Sequence, residues 1–383
     1  MSEDRIKDFG SMITELMRGR NLTRSEACEM FRQVLTNEQP ELHQGAFLAA
    51  MTAKDATPEE IAGIWKAIYE YDTMKVSPVV SSPLVENCGT GMDALNTFNI
   101  STVASIVAAA NGICMAKHGA RAITSRCGAV DILEAVGVDV ECEVEIVKRS
   151  IEKAGIGIFN GMNPKIHPQL ARILSQIRFG TFLNIAASLA NPALPRYAVR
   201  GVYSRDLVDP VAMAMREMGY HRAFVVHGMN EDGTEGMDEV STIGETIVAE
   251  LHEEGEITTY TVTPEKFGIP RTDAHMLLPA AEKKEEVLYF LKILSGMEQG
   301  PKTDIVCLNA APILYLMGKA RDLGEGFENS RRTLESGKAI TKLQEWVREQ
   351  NSDAEHGEKK LECLLREMDQ KGMRCEVSGV SIF

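Results

Sequence analysis

The sequence predicts an α/β protein in two unequal parts: a small all-helical unit, then a large unit built on a central, mainly parallel sheet. Three observations carry this. Up to about residue 74 the apolar residues recur at helical spacing, and no strand signal precedes residue 84. A stretch with Pro78, Pro83 and three serines, SPVVSSPLV, then reads as a linker. Beyond it, short β-branched runs alternate with helical stretches, the pattern of strands joined by crossover helices.

In the first part, LTRSEACEMFRQVL opens with Thr23 as N-cap and Glu26 three residues later, a capping box. ATPEEIAGIWKAIYEY repeats the device with Thr57, Pro58 at the first helical position and Glu60. HQGAFLAAMTAK fills the gap as a third helix. After the linker, IVAAANGICMAKHG reads as an alanine-rich helix running into a buried strand. DILEAVGVDV reads as a helix with a glycine end and a strand behind it, and EVEIVKRSIEKAGIGIFN as another helix and strand. AFVVHG, EITTYTV and TDIVCLNAA are further strand candidates. From HPQLARILSQIR to about Pro192 the chain turns helical again, so the helical unit is expected to comprise 1–75 rejoined by about 160–192. The α/β unit then comprises 76–159 and 193–383. A C-terminal extension from about 350 is charged, then amphipathic, then β-like, with Leu361, Leu364 and Leu365 as a packing stripe.

Composition narrows the function classes. With 383 residues, 44% of them hydrophobic, the chain can bury a large core. The net charge of -14 disfavours nonspecific binding to nucleic acid or to an anionic membrane, both of which need cationic surface. None of the eight cysteines falls in a C-x-x-C pair, and several sit in apolar runs, so buried reduced thiols are expected. The polar N-terminus does not look like a signal peptide, and no apolar run reaches the roughly 18–20 residues of a membrane span. A soluble cytoplasmic protein is the expectation.

Three motifs suggest chemistry. CGTGMDALNTFNIST places Gly89, Thr90, Gly91 and Asp93, then Asn99, Ser101 and Thr102, immediately before an apolar helix. Glycines admit close backbone approach, and successive N–H groups leading into a helix N-terminus form an anion cradle. A plain strand-to-helix turn with a hydroxyl cap fits the same residues. The run is neither a G-x-x-x-x-G-K-[ST] nor a clear G-x-G-x-x-G fingerprint. AKHGARAITSRCGAVDILEAVGV adds Lys117 and Arg121, which could meet a polyanion or simply be solvated, and Ser125 and Gly128 at a second turn. GMDEVSTIGET pairs Asp238 with Glu239, either surface acids or ligands for Mg2+.

The order and spacing of these motifs resemble the anthranilate phosphoribosyltransferase family. The resemblance covers about residues 20–348, including LNAAPILYLMGKARDLGEGFENSRRTLESGKAITKLQEWV and the N-terminal helices. It implies a fold of the nucleoside phosphorylase/phosphoribosyltransferase type with the active site at the hinge, and a homodimer joined through the helical domains. It also implies transfer of the phosphoribosyl group of PRPP to a small aromatic amine or N-heterocycle, with Mg2+ as cofactor and anthranilate as the default acceptor. By motif, Gly89, Thr90, Gly91, Asp93, Asn99, Ser101, Thr102, Lys117 and Ser125 fall on the PRPP side. Ser101, Asp238 and Glu239 fall on the metal, and His118, Gly119, Ala120 and Arg178 beside the acceptor. No residue is assigned as acid or base.

The departures from the family are specific. Met92 replaces a second glycine of G-T-G-G-D, Ala120 replaces the asparagine of K-H-G-N, and Ala187-Ser188 stands where Gly-Pro is usual. The arginine expected about ten residues before Asn184 is absent there; Arg178 or Arg172 could serve. A phosphoribosyltransferase with an altered acceptor site is therefore expected. A pyrimidine-type nucleoside phosphorylase and a non-catalytic nucleic-acid-binding relative are the alternatives.

Overall fold

A computed structural model describes residues 3–95, 97–122, 127–177 and 179–378. Four helices come first: α1 (Glu3–Met17), α2 (Arg24–Leu35), α3 (Glu41–Ala53) and α4 (Pro58–Tyr71). Both expected capping boxes form, at Thr23 with Glu26 and at Thr57 with Glu60. Then follow β1 (Leu84–Gly89), α5 (Ile100–Ala110), β2 (Cys114–Gly119), α6 (Ala129–Ala135), α7 (Val144–Ala154), β3 (Ile156–Asn160), α8 (Pro168–Gln176) and α9 (Leu183–Ala186). The remainder comprises β4 (Tyr197–Gly201), α10 (Val208–Glu217), β5 (Arg222–Met229), β6 (Gly236–Met237), β7 (Thr246–Leu251), β8 (Ile257–Val262), α11 (Lys283–Leu294), α12 (Pro301–Leu316), α13 (Leu323–Glu335), α14 (Lys338–Glu349) and α15 (Ala354–Ser378).

The strands form one sheet in the order β3-β2-β1-β4-β5-β7-β8, with β6 paired to β5. β1 to β5 run parallel; β6, β7 and β8 add antiparallel pairs at one side. Strand order reverses between β1 and β4, which makes their carboxyl ends the topological switch point where open α/β sheets bind ligands.

One apolar core lies between the sheet and α5, α6 and α11 to α14. A second joins α1 to α4 with Leu170 and Ile173 of α8, Leu183 and Ile185 of α9, and with α10 and residues of β4, β5 and β7. Phe182, just before α9, meets Phe31 and Phe47 edge-on at 6.3 and 6.4 Å, and Trp65 Nε1 donates to the Leu189 carbonyl at 2.9 Å. Asp72, at the end of α4, accepts the Gln169 and Leu170 N–H groups at 2.7 Å each and so caps the start of α8.

Two expected strands are not strands. TDIVCLNAA lies inside α12, which is buried on nearly every face. A short apolar run bounded by turn signals fits a buried helix as well as a buried strand. Pro301 at its first turn was the overlooked start signal. GVDV, residues 137–140, is a turn. Val138 and Val140 are buried, but the Asp139 N–H donates to the Gln350 carbonyl at 3.0 Å rather than to a ladder. The end of the extension, expected β-like, continues α15 to Ser378, and residues 379–383 lie outside the described ones. Leu361 of α15 is buried with Leu364 and Leu365 partly so, while Cys363 is exposed, against the expectation of buried thiols.

Candidate active site

A cleft of about 290 Å3 opens at the carboxyl ends of β1 and β2, between the sheet and the α8–α9 segment. Four strands reach this region ending on or near glycine: Gly89, Gly119, Gly201 and Gly228. The need for glycine is steric. A methyl group on Gly89 would collide with the Asp238 carboxylate, one on Gly201 with the Asp238 carbonyl, and one on Gly228 with the Glu239 carbonyl. The Asp238-Glu239 backbone thus crosses directly over the ends of β4 and β5, and the Asp238 carboxylate covers the end of β1. It is fastened behind by Asn309 of α12, whose Oδ1 accepts the Val240 N–H at 2.7 Å and whose Nδ2 donates to the Val240 carbonyl at 2.9 Å.

This crossing brings the two distant motifs together. Asp238 Oδ2 accepts the Gly91 N–H at 2.7 Å, and Glu239 Oε1 accepts the Ser101 N–H at 3.1 Å, in the first turn of α5. The Thr90 N–H donates to the Gly201 carbonyl at 3.1 Å, and Thr90 Oγ1 accepts the Tyr203 N–H at 3.1 Å. Gly89, Thr90, Gly91, Asp93, Asn99, Ser101, Asp238 and Glu239 all line the cleft. Burial raises the carboxyl pKa of Asp93 to about 8, with the Asp238 charge adding to it. Asp238 is raised by burial, and Glu239 is raised well above its usual value by burial and by Asp238. Acids whose charges repel one another in a desolvated cleft are stabilised by any cation brought near them.

Among the described residues no group of three His, Cys, Asp or Glu side chains forms a ready metal cage. That is compatible with Mg2+, which commonly takes one or two carboxylates and completes its shell with water and substrate phosphates.

Lys117 and Thr102 stand behind the cleft rather than in its lining. Lys117 is buried on β2, donating from Nζ to the Asn87 carbonyl at 2.7 Å and to Ser105 Oγ at 3.0 Å. Burial lowers its pKa, against the pull of Glu239 and other nearby groups. Thr102 is fully buried, and its hydroxyl finds no partner among the described residues. Asn99 does not cap α5; its Nδ2 donates to the Cys127 carbonyl at 3.1 Å and ties the first loop to the second. Arg121 lines the cleft, but Asp131, Glu134 and Glu141 claim its guanidinium at 3.2, 2.8 and 2.7 Å, so it is no free phosphate partner.

The opposite wall consists of Leu170, Leu174, Ile177, Phe179, Leu183 and Ala187, with His118, Gly119 and Ala120 at its edge. His118 Nδ1 lies 3.1 Å from the Ser188 carbonyl and Nε2 lies 3.1 Å from His167 Nε2. A carbonyl only accepts, so His118 donates from Nδ1 and receives from His167. Burial pushes the His118 pKa down to about 4 and holds His167 well below its usual value, so both rings are neutral near pH 7. Arg172 faces away, donating to Gln44 Oε1 at 3.3 Å and to the Val34 carbonyl at 3.0 Å, and does not line the cleft. Ser125 and Arg178 lie outside the described residues.

Sequence reasoning missed Gly201, Gly228, Asn309 and His167. The recurring glycine at strand ends, in YAVRG and VVHG, was the available signal for the first two.

Comparison with known proteins places this geometry. Residues 81–340 match the pattern of the Glycosyl transferase family, a/b domain, and residues 11–71 that of the Glycosyl transferase family, helical bundle domain. The anthranilate phosphoribosyltransferase of Methanosarcina acetivorans is 38% identical over 344 residues, covering 89% of this chain and 90% of that protein. The chain belongs to the anthranilate phosphoribosyltransferase family. The Methanothermobacter thermautotrophicus member is 36% identical over 88% of this chain and 97% of its own. Among solved structures, anthranilate phosphoribosyltransferase from Thermus thermophilus superposes with a TM-score of 0.78 at 33% identity, over 88% of this chain and 98% of that one. The Saccharomyces cerevisiae enzyme in complex with PRPP and Mg, at 24% identity and a TM-score of 0.77, covers 91% of this chain and 98% of its own, and shares the fold. This family member is thus a pentosyltransferase by descent.

Proposed function

We propose that this protein transfers the 5-phosphoribosyl group of PRPP to the amine of anthranilate and releases pyrophosphate. The observation that carries the reading is the convergence of Gly91, Asp93, Ser101, Asp238 and Glu239 at the switch point of the sheet. The N-terminus of α5 there suits phosphate. Asp238 and Glu239 suit Mg2+, with the Ser101 hydroxyl as a further oxygen ligand. When bound, the cation offsets charge on the departing pyrophosphate.

The amine nitrogen directs its lone pair at C1 of the ribose, and a C–N bond forms as the C1–O bond to pyrophosphate breaks. The electron pair of the broken bond leaves with pyrophosphate, and the nitrogen gives up one proton to solvent or to the leaving group. An aromatic amine is unprotonated near neutral pH, so the step needs no strong base. His118, neutral and bonded through both nitrogens, shapes the pocket rather than moving that proton. The walls of the cleft hold the two reactants in line, which supplies much of the rate.

Pyrophosphate release from PRPP and Mg2+ with anthranilate tests the reading. Turnover with other aromatic amines or N-heterocycles but not anthranilate would move the acceptor and keep the reaction class. Phosphate-dependent nucleoside cleavage without PRPP turnover would replace it with a phosphorylase. A homodimer joined through the helical domain, in the cytoplasm, belongs to the same reading; exposed Leu42 and Met17 on α3 and α1 support the contact face. Sedimentation as a monomer at micromolar concentration would remove that part.

A further inference from the structure

Met92 is one of the few non-glycine residues with a left-handed backbone, at φ 72°. A side chain with a Cβ is disfavoured there, so its retention asks for a compensating contact. That contact lies across the cleft. The end of the Met92 side chain occupies the space where Gly180 has no Cβ; a methyl group on Gly180 would collide with both Sδ and Cε of Met92. A second link joins the same two segments: Asn184 Nδ2 donates to the Thr90 carbonyl at 3.3 Å. Met92 and Gly180 both line the cavity, the first from the phosphate-side loop and the second from the apolar wall.

We infer that Met92 is a specificity-determining residue that limits the size of the acceptor, and that Gly180 is the notch that seats it. The inference rests on the reading that this cleft joins PRPP to an aromatic amine. A flexible thioether suits such a role because it fills irregular space and adapts to a planar ring. The loop backbone stays with the phosphates while the side chain reaches the other substrate, so one residue of the donor loop touches the acceptor's space.

The test is a cycle of Met92→Gly, Gly180→Ala and the double variant, with Met92→Leu as the conservative control. Acceptors of increasing size are used with PRPP and Mg2+: anthranilate, 4-fluoroanthranilate and 3-amino-2-naphthoate. In Met92→Gly the ratio of kcat/KM for the naphthoate to that for anthranilate is expected to rise about ten-fold, in the range a few methylenes are worth in a binding pocket. Met92→Leu should keep the original ratio, and KM for PRPP should move less than two-fold in both. Gly180→Ala should lower acceptor kcat/KM about ten-fold with Met92 present and leave it unchanged in the Met92→Gly background, since neighbouring residues couple only through the contact they share.

A ratio unchanged in Met92→Gly, or Gly180→Ala equally harmful in both backgrounds, overturns the inference. Should the wild type show no turnover with any amine, the functional reading fails separately. The Met92–Gly180 contact is still decided by melting temperatures: the drop caused by Gly180→Ala must shrink in the Met92→Gly background, and an equal drop refutes the seat.

Discussion

The two walls of the cleft are built by different means. The proposed donor wall is backbone: N–H groups of Gly91 and Ser101 hold two carboxylates, Gly201 and Gly228 let the Asp238-Glu239 backbone cross over two strand ends, and Gly89 leaves room for the Asp238 carboxylate. The proposed acceptor wall is side chain: Leu170 and Leu174 of α8, Ile177 just after it and Leu183 of α9, backed by Phe182 against Phe31 and Phe47 in the helical core. A backbone-built wall has few ways to vary, because adding even one methyl group displaces the acids. A side-chain wall changes shape with each substitution and keeps its fold. Ala120, Ala187 and Ser188 all line the cleft, and Met92 sends its side chain away from its own loop to the other wall.

The largest effect should come from breaking the donor wall. Asp238→Asn with Glu239→Gln is expected to cut kcat/KM for PRPP by about a hundred-fold or more, on the order of 3 kcal/mol of transition-state charge stabilisation, while the melting temperature holds or rises as repulsion is removed. Steady-state kinetics across a Mg2+ titration measure it, and unchanged PRPP kinetics would reject the metal role.

Next comes the point where the walls share a support. Arg200, fully buried on β4, pairs with Glu86 of β1 at 3.3 Å and reaches Ser188 Oγ at 3.2 Å and its carbonyl at 3.3 Å. Arg200→Met strands a buried carboxylate and should cost about 3–5 kcal/mol of stability in urea unfolding; adding Glu86→Met should recover much of it. No recovery in the double variant would place the loss in packing rather than charge.

A smaller effect separates the walls by pH. His118 titrates at about 4 in the folded chain against about 6.5 unfolded. Between these values the unfolded chain binds more protons, so stability contributed by the neutral ring is present above pH 6.5 and fades as pH falls toward 4. The acids of the donor wall, raised in the fold, shift stability the opposite way as pH rises. Replacing His118 and His167 with Asn and Gln should therefore flatten the wild-type loss of melting temperature between pH 6.5 and 4. An unchanged slope would assign that loss elsewhere.

The smallest change is Ala120→Asn at the pocket edge, expected to improve anthranilate kcat/KM a few-fold, up to about 1 kcal/mol for one added hydrogen bond, with KM for PRPP unmoved. An unaltered acceptor preference would remove this position from acceptor choice.

The donor wall was legible in the sequence because backbone chemistry selects residue types: Gly89, Gly91, Asp93, Ser101, Asp238 and Glu239 are small or acidic residues in apolar surroundings. What was not legible depends on position in space. Nothing local to Lys117 says that Asn87 and Ser105 hold it behind the lining, or that three acids from two later segments occupy Arg121. Arg172 reads as a candidate carboxylate partner until α8 turns it toward Gln44. For α12 the short apolar window was ambiguous between two periods, and only burial on nearly all its faces settles it.

The carboxamide of Asn309 makes with Val240 both bonds that a neighbouring strand would make. One side chain thus stands in for a missing rung, and α12 carries the load of the acidic corner from outside the sheet. Exchanging that amide for a carboxylate alters a single heavy atom. It would nonetheless turn a donor into an acceptor facing a carbonyl and set a further negative charge behind Asp238 and Glu239, so the corner proposed to meet magnesium leans on one nitrogen atom outside the cleft lining.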